Sequence, residues 1–272
     1  MEELIISAQN VEKNYWRDLW SYRELLYFLA WKDILVRYKQ TTVGVAWAFL
    51  RPAVTIGIFT VISNKVAGQT TGEVPNVLLV SAGTLVWTLF ATAFADAGNS
   101  LLGNASLISK IYFPRLLVPA STLAVGFVDF SIALGILALL MAWYQYVPDI
   151  RILALPFFIL LALTASLGAG LWLAALTVKY RDFRFIAPFI VQIGFFASPI
   201  FYRSDKFHGV ERLVYSLNPV VGAIDGFRWS VFRGAIPLYW PGLVISVSMS
   251  VFLLITAILY FRRTEKSFAD MI

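Results

Sequence analysis

Cysteine is absent from this 272-residue chain, and histidine occurs once, at His208. Disulfides, thiolate zinc sites and cysteine nucleophiles are thereby excluded, and one loop histidine falls short of the three or four donors a metal site needs. There is no Gly-x-x-x-x-Gly-Lys-Ser/Thr loop; the nearest approach, GNASLISK at 103–110, lacks its second glycine. No carboxylate pair and no nucleophile–base constellation emerges, so the chain is not expected to be an enzyme or to hydrolyse ATP itself. Charge is also scarce: 14% of residues against 59% hydrophobic, where a soluble domain carries about a quarter charged. That balance points to the membrane. The net charge of +6 forms no long basic tract; the cations flank apolar runs, which favours topological and membrane-surface roles over nucleic-acid binding. The first apolar run begins near Val43, after a charge-dense stretch, the wrong layout for a cleaved secretory leader.

Crossing the bilayer takes about 20 apolar residues in a helix. The runs 44–66, 77–97, 116–143, 152–178 and 240–261 meet or approach that length, and 186–202 is shorter but almost uninterrupted. The fold expected is an all-α integral membrane protein with six transmembrane helices in one domain over 1–272. The stretch 209–233 is apolar enough to suggest a seventh span, but Asn218-Pro219, Asp225 and Arg228 would then face lipid. Two short re-entrant helices fit it better. Lys and Arg concentrate before the first run, around 110–115, at 179–184 and after 261, which places both termini and the 104–115 segment in the cytoplasm.

Residues 18–40 read as an amphipathic helix at the membrane surface. Leu25, Leu26 and Leu29 form one stripe and Trp31, Ile34, Leu35 and Tyr38 a second, with a kink expected between them. Three charges fall in or at the edges of spans: Arg51, Asp96 and Asp129. Arg51 and Asp96 lie at similar depth and are expected to pair, leaving Asp129 without an evident partner. Rings at Trp47, Phe59, Trp87, Phe90, Phe94, Phe195 and Phe196 suit a pore that stacks on sugars. Packing against lipid or neighbouring helices explains them as well. In 104–115, Asn104 or Ser106 is placed to cap a short helix, Leu107, Ile108 and Ile111 form an apolar stripe, and Pro114 ends the segment. A surface helix of this kind suits a groove on a partner protein.

NASLISKIYFPR at 104–115 resembles the cytoplasmic coupling segment of type-2 ABC exporter permeases, particularly the Wzm-type permeases of O-antigen polysaccharide exporters and the related teichoic acid and capsular exporters. RYKQTTVGVAWAFLRPA at 37–53, KYRDFRFIAPFIVQIGFFASPIFY at 179–202 and LNPVVGAIDGFRWSVFRG at 217–234 resemble further stretches of that family in the same order. The likeness implies a bacterial inner-membrane protein, acting as a dimer with two separate ATP-binding subunits that hold ATP and Mg, with no cofactor in this chain. Leu107, Ile108, Lys110, Ile111, Tyr112, Phe113, Pro114 and Arg115 would form the coupling element. Leu25, Leu29, Trp31, Leu35 and Tyr38 would form the interface helix, and Leu213, Pro219, Val220, Phe227 and Trp229 an outer gate. The cargo implied is a lipid-linked polysaccharide, its pyrophosphate head meeting Arg23, Arg37, Lys39 and Arg51. Positive-inside topology accounts for those cations equally well.

Other readings stay open at this point. Smaller amphiphiles such as drugs or lipids are alternative cargoes. An ion-driven secondary transporter would use Asp129 as coupling site, although no internal repeat is evident. A membrane glycan transferase would need convergent acidic or histidine groups that the sequence does not offer.

Overall fold

The computed structural model describes residues 15–39, 44–66, 74–265 and 268, leaving aside the side chains at 44–48, 51, 63 and 66. Among the described residues there is no strand. The helices are α1 Tyr15–Ser21, α2 Arg23–Lys39, α3 Gly44–Val66, α4 Asn76–Gly103, α5 Ala105–Ile108, α6 Leu117–Trp143, α7 Leu155–Lys179, α8 Ile186–Phe196, α9 Gly209–Tyr215, α10 Pro219–Val231 and α11 Trp240–Thr264. Tyr22 separates α1 from α2, so the break falls before both stripes and not between them.

Four helical stretches are long and apolar enough to cross a bilayer: α4, α6, α7 with its 3₁₀ lead-in (Ile150–Lys179), and α11. The 23-residue α3 has the length as well, and its described apolar stretch is Pro52–Ile62. The expected span at 186–202 takes a different form. Its helix, α8, has 11 residues and covers about 16 Å, roughly half the hydrocarbon core; the chain then bends through 197–202. Here Pro199 cannot donate a helical hydrogen bond, and the carbonyls of Ile200 and Tyr202 point instead at the Arg228 guanidinium.

The central element is α4, whose apolar window is 83% buried against 33% or less for the other three. Small residues allow the other helices to come close, as they do in membrane bundles generally. A methyl group on Gly170 would sit 2.7 Å from Ala97 Cβ, and one on Gly168 would sit 2.8 Å from the Leu254 backbone nitrogen. Two hydrophobic cores result. One joins the starts of α4, α7 and α11 to α10 and the far half of α6. The second gathers Tyr15, Leu29, Leu101, Ile108, Phe113, Leu117, Val178, Phe261 and Phe268 where α4, α7 and α11 end. That second end carries Lys110, Arg115, Lys179, Arg181, Arg262 and Arg263 and is called here the basic end.

Candidate functional site

At the basic end, α5 is a single turn of four residues, shorter than the helix expected over 104–115; the rest of the segment runs through turns to α6. Ile108 and Phe113 are buried in the chain's own core (4% and 3% exposed), whereas Ile111 and Tyr112 are 57% and 51% exposed. The apolar stripe therefore divides, with Ile108 anchoring the segment and Lys110, Ile111 and Tyr112 forming its outer ridge. Pro114 is buried, and Leu107 and Arg115 are half-buried. A pocket of about 190 Å³ lies along this ridge, lined by Ile108 through Phe113 and by Arg115.

The end of the last long helix braces the segment from behind. Glu265 Oε1 accepts from the Arg115 backbone N–H at 2.7 Å, and the Arg115 guanidinium donates to the Glu265 carbonyl. Burial holds the Glu265 carboxyl above the ordinary carboxylate range, with the Arg115 amide partly offsetting it. Phe268 packs edge-on against Phe261 at 5.2 Å.

Beside this segment, α2 buries Leu29 and climbs along α6. Leu25, Leu35 and Tyr38 are half-buried, and Trp31 is exposed. Lys32 Nζ donates to Asn104 Oδ1 at 2.7 Å, at the end of α4. Further along, Arg37 Nη1 meets Asp96 Oδ2 at 3.0 Å and Nη2 meets Asp129 Oδ2 at 2.8 Å. The Tyr38 hydroxyl donates to the other oxygen of Asp129. Asp96 is thus held by Arg37, whereas its expected pairing with Arg51 lies outside the described residues, and Asp129, expected to stand alone, has two partners. Arg37 therefore has a carboxylate on each arm, while Arg23 and Lys39 are exposed. The side chains of Trp47 and Arg51 lie outside the described residues.

Of the other expected pore aromatics, Trp87, Phe90 and Phe94 are buried within this chain. Phe59 and Phe195 are half-buried and pack together at 4.9 Å. Phe196 is 63% exposed.

At the opposite end, Asn218 caps α10 by accepting from the Val220 N–H, and Pro219 occupies its first turn. Val220 and Phe227 are buried in the bundle, while Leu213, Pro219 and Trp229 are half-buried. Arg228, 1% exposed, donates to the carbonyls of Leu79, Ile200 and Tyr202 at 2.8–3.2 Å. Asp225 accepts from the Ser204 hydroxyl. These are the two charges that made a lipid-facing seventh span too costly. The fold places both inside protein, with the guanidinium spread over three carbonyls and Asp225 held through one of its two oxygens. This role of Arg228 is not legible along the chain, because its acceptors are backbone atoms of distant segments.

A family model described as ABC-2 type transporter matches residues 24–232 of the chain. The chain belongs to the ABC-2 type transporter family. It is 26% identical over 258 residues to the O-antigen export system permease protein RfbA of Myxococcus xanthus, covering 94% of this chain and 98% of that one. Two proteins of the same description from Klebsiella pneumoniae are each 23% identical, one covering 84% of this chain and 91% of its own length, the other 82% and 88%. The segment at 109–115 turns Lys110, Ile111 and Tyr112 outward. Its outer part, 109–112, is exposed and carries Lys110, and the segment is fixed to the core by Ile108 and Phe113.

Proposed function

We propose that this chain is the transmembrane permease subunit of an ATP-driven exporter that carries a lipid-linked polysaccharide of the O-antigen class out of the cytoplasm. Two copies line the path across the inner membrane with six spans each, α8 and the bend after it serving as the fifth, and two copies of a separate ATP-binding subunit supply the energy. Both termini face the cytoplasm, as the concentration of Lys and Arg at the basic end favours. The single observation that carries this reading is the Lys110–Ile111–Tyr112 ridge, exposed on a base held by Ile108, Phe113 and Glu265. A surface that receives force from a partner must be accessible at its tip and rigid at its root. The names of the relatives support the cargo class.

Within this reading, the exposed cations Arg23 and Lys39 meet the anionic head of the lipid carrier. Phe196, with Phe59 and Phe195 behind it, offers ring faces to the glycan. The α9–α10 pair acts as the outer gate, turning about the 216–218 connection. Asp129, on which an ion-driven mechanism would depend, is engaged by Arg37 and Tyr38, so no observation favours that mechanism.

The test is ATP-dependent uptake of lipid-linked polysaccharide into inside-out vesicles holding the chain and its ATP-binding subunit. Uptake should require ATP and both proteins. Accumulation driven by a proton or sodium gradient with the ATP-binding subunit absent would refute the proposal.

A further inference from the structure

The Arg37 contacts have a consequence of their own. From Lys32 to Arg37, α2 advances about 7.5 Å, while its partners step from Asn104, which caps the end of α4, back to Asp96, about 12 Å along that helix. The helix thus climbs the side of the bundle, and Arg37 reaches Asp129 about halfway along α6. Two carboxylates on different helices share one guanidinium, each taking one Nη. The planar fork of arginine can hold two acceptors in fixed directions, which the point charge of lysine cannot do. Tyr38 fills the remaining Asp129 oxygen, and Lys32 with Asn104 makes a second tie one and a half turns earlier. The side chains of Arg37, Asp96 and Asp129 are 35%, 37% and 26% exposed, so solvent screens the pairs in part and the clamp rests on the shared geometry of several contacts.

We propose that Arg37 is a positioning residue that clamps the C-terminal end of α2 to α4 and α6, so that the three helices move as one body. The clamp itself is a property of the fold. Its consequence for transport rests on the permease reading: force received at the basic end reaches the spans through Arg37 as well as through the 104–115 segment. Loosening the clamp then leaves hydrolysis by the ATP-binding subunit running while export lags.

Two measurements on the full-length chain test this. Hydrogen exchange of residues 31–39 in lipid nanodiscs, with no partner present, reads the clamp alone. Asp129→Asn, Asp96→Asn and Arg37→Lys should each speed exchange there by about tenfold, and the charge exchange Arg37→Asp with Asp129→Arg, made together with Asp96→Asn so that the new carboxylate does not face Asp96, should restore part of the protection. Unchanged exchange in all three single variants, or no recovery in the exchanged pair, would overturn the clamp. In the reconstituted exporter, Asp129→Asn should raise ATP hydrolysed per polysaccharide exported by about threefold or more, and the exchanged pair should return it toward the parent ratio. Hydrolysis and export falling in parallel would reduce Arg37 to a brace and overturn its transmitting role. Absence of ATP-dependent export by the parent protein would count against the permease reading, while the exchange measurement would still decide the clamp.

Discussion

Arg228 donates from both Nε, at 3.2 Å, and Nη2, at 2.8 Å, to the carbonyl oxygen of Leu79, 149 positions earlier in the chain. This one side chain ties α10 to the start of α4, and Nη2 extends the tie to Ile200 after α8. The space it occupies exists because residue 83 is glycine: a Cβ there would lie 2.7 Å from Arg228 Nη2 and 3.0 Å from the Ile200 Cα.

Replacing Arg228 with Met keeps much of the bulk and removes every donor. The expected loss is more than about 2 kcal/mol, since charge-assisted hydrogen bonds and their buried acceptors are lost together. Thermal unfolding in nanodiscs checks it. Arg228→Lys should recover only part of the loss, because one ammonium cannot span three carbonyls.

Gly226 sets a second close approach, where a Cβ would fall 1.9 Å from Phe158 Cε1. Gly226→Ala should abolish accumulation of folded protein or lower its unfolding temperature sharply by overpacking. Adding Phe158→Leu should recover a measurable share of it, because the clash is with that ring. A double-mutant cycle on unfolding temperature reads the coupling, and strict additivity would refute the contact.

For Glu265 the sign of the effect is set by burial. Its carboxyl is held above the usual range, so the fold favours the neutral form, and the carboxyl's contribution weakens as pH rises through that raised value. Glu265→Gln keeps an acceptor for the Arg115 amide without the charge and should be neutral or slightly stabilising at pH 7. Glu265→Ala leaves that amide unmet and should cost about 1 kcal/mol or more, seen as faster hydrogen exchange at 109–116.

The ridge and its anchor should separate cleanly on mutation. Ile111→Asp and Tyr112→Asp change exposed side chains and should leave the unfolding temperature near that of the parent while co-purification of the ATP-binding subunit is lost. Ile108→Asp buries a charge in the core and should destabilise the chain by several kcal/mol. Undiminished co-purification with both ridge variants would refute the ridge as the docking surface.

Much of the helical layout was legible in advance. The runs at 116–143 and 240–261 match α6 and α11 within a few residues, and 44–66 coincides with α3. The stretch at 209–233 divides into α9 and α10, with Asn218 capping the second helix and Pro219 in its first turn. The run at 186–202 is apolar throughout, but only its first part is helix; its second part is bent backbone whose carbonyls serve Arg228. Composition does not record that use. Likewise, the 104–115 segment was recognisable as an exposed element, yet its stripe did not reveal that Ile108 turns inward while Ile111 turns out.

By itself, the sequence determined that this is a chain of apolar helices with its cations gathered near their ends, because run length and residue type are local properties. Only the tertiary structure decided the charge partners. Asp96 lies 59 positions from Arg37, and Asp129 lies 91 from Tyr38. Which carboxylate meets which cation depends on which helices pack side by side, and that follows from the small residues and close approaches around α4, not from spacing along the chain.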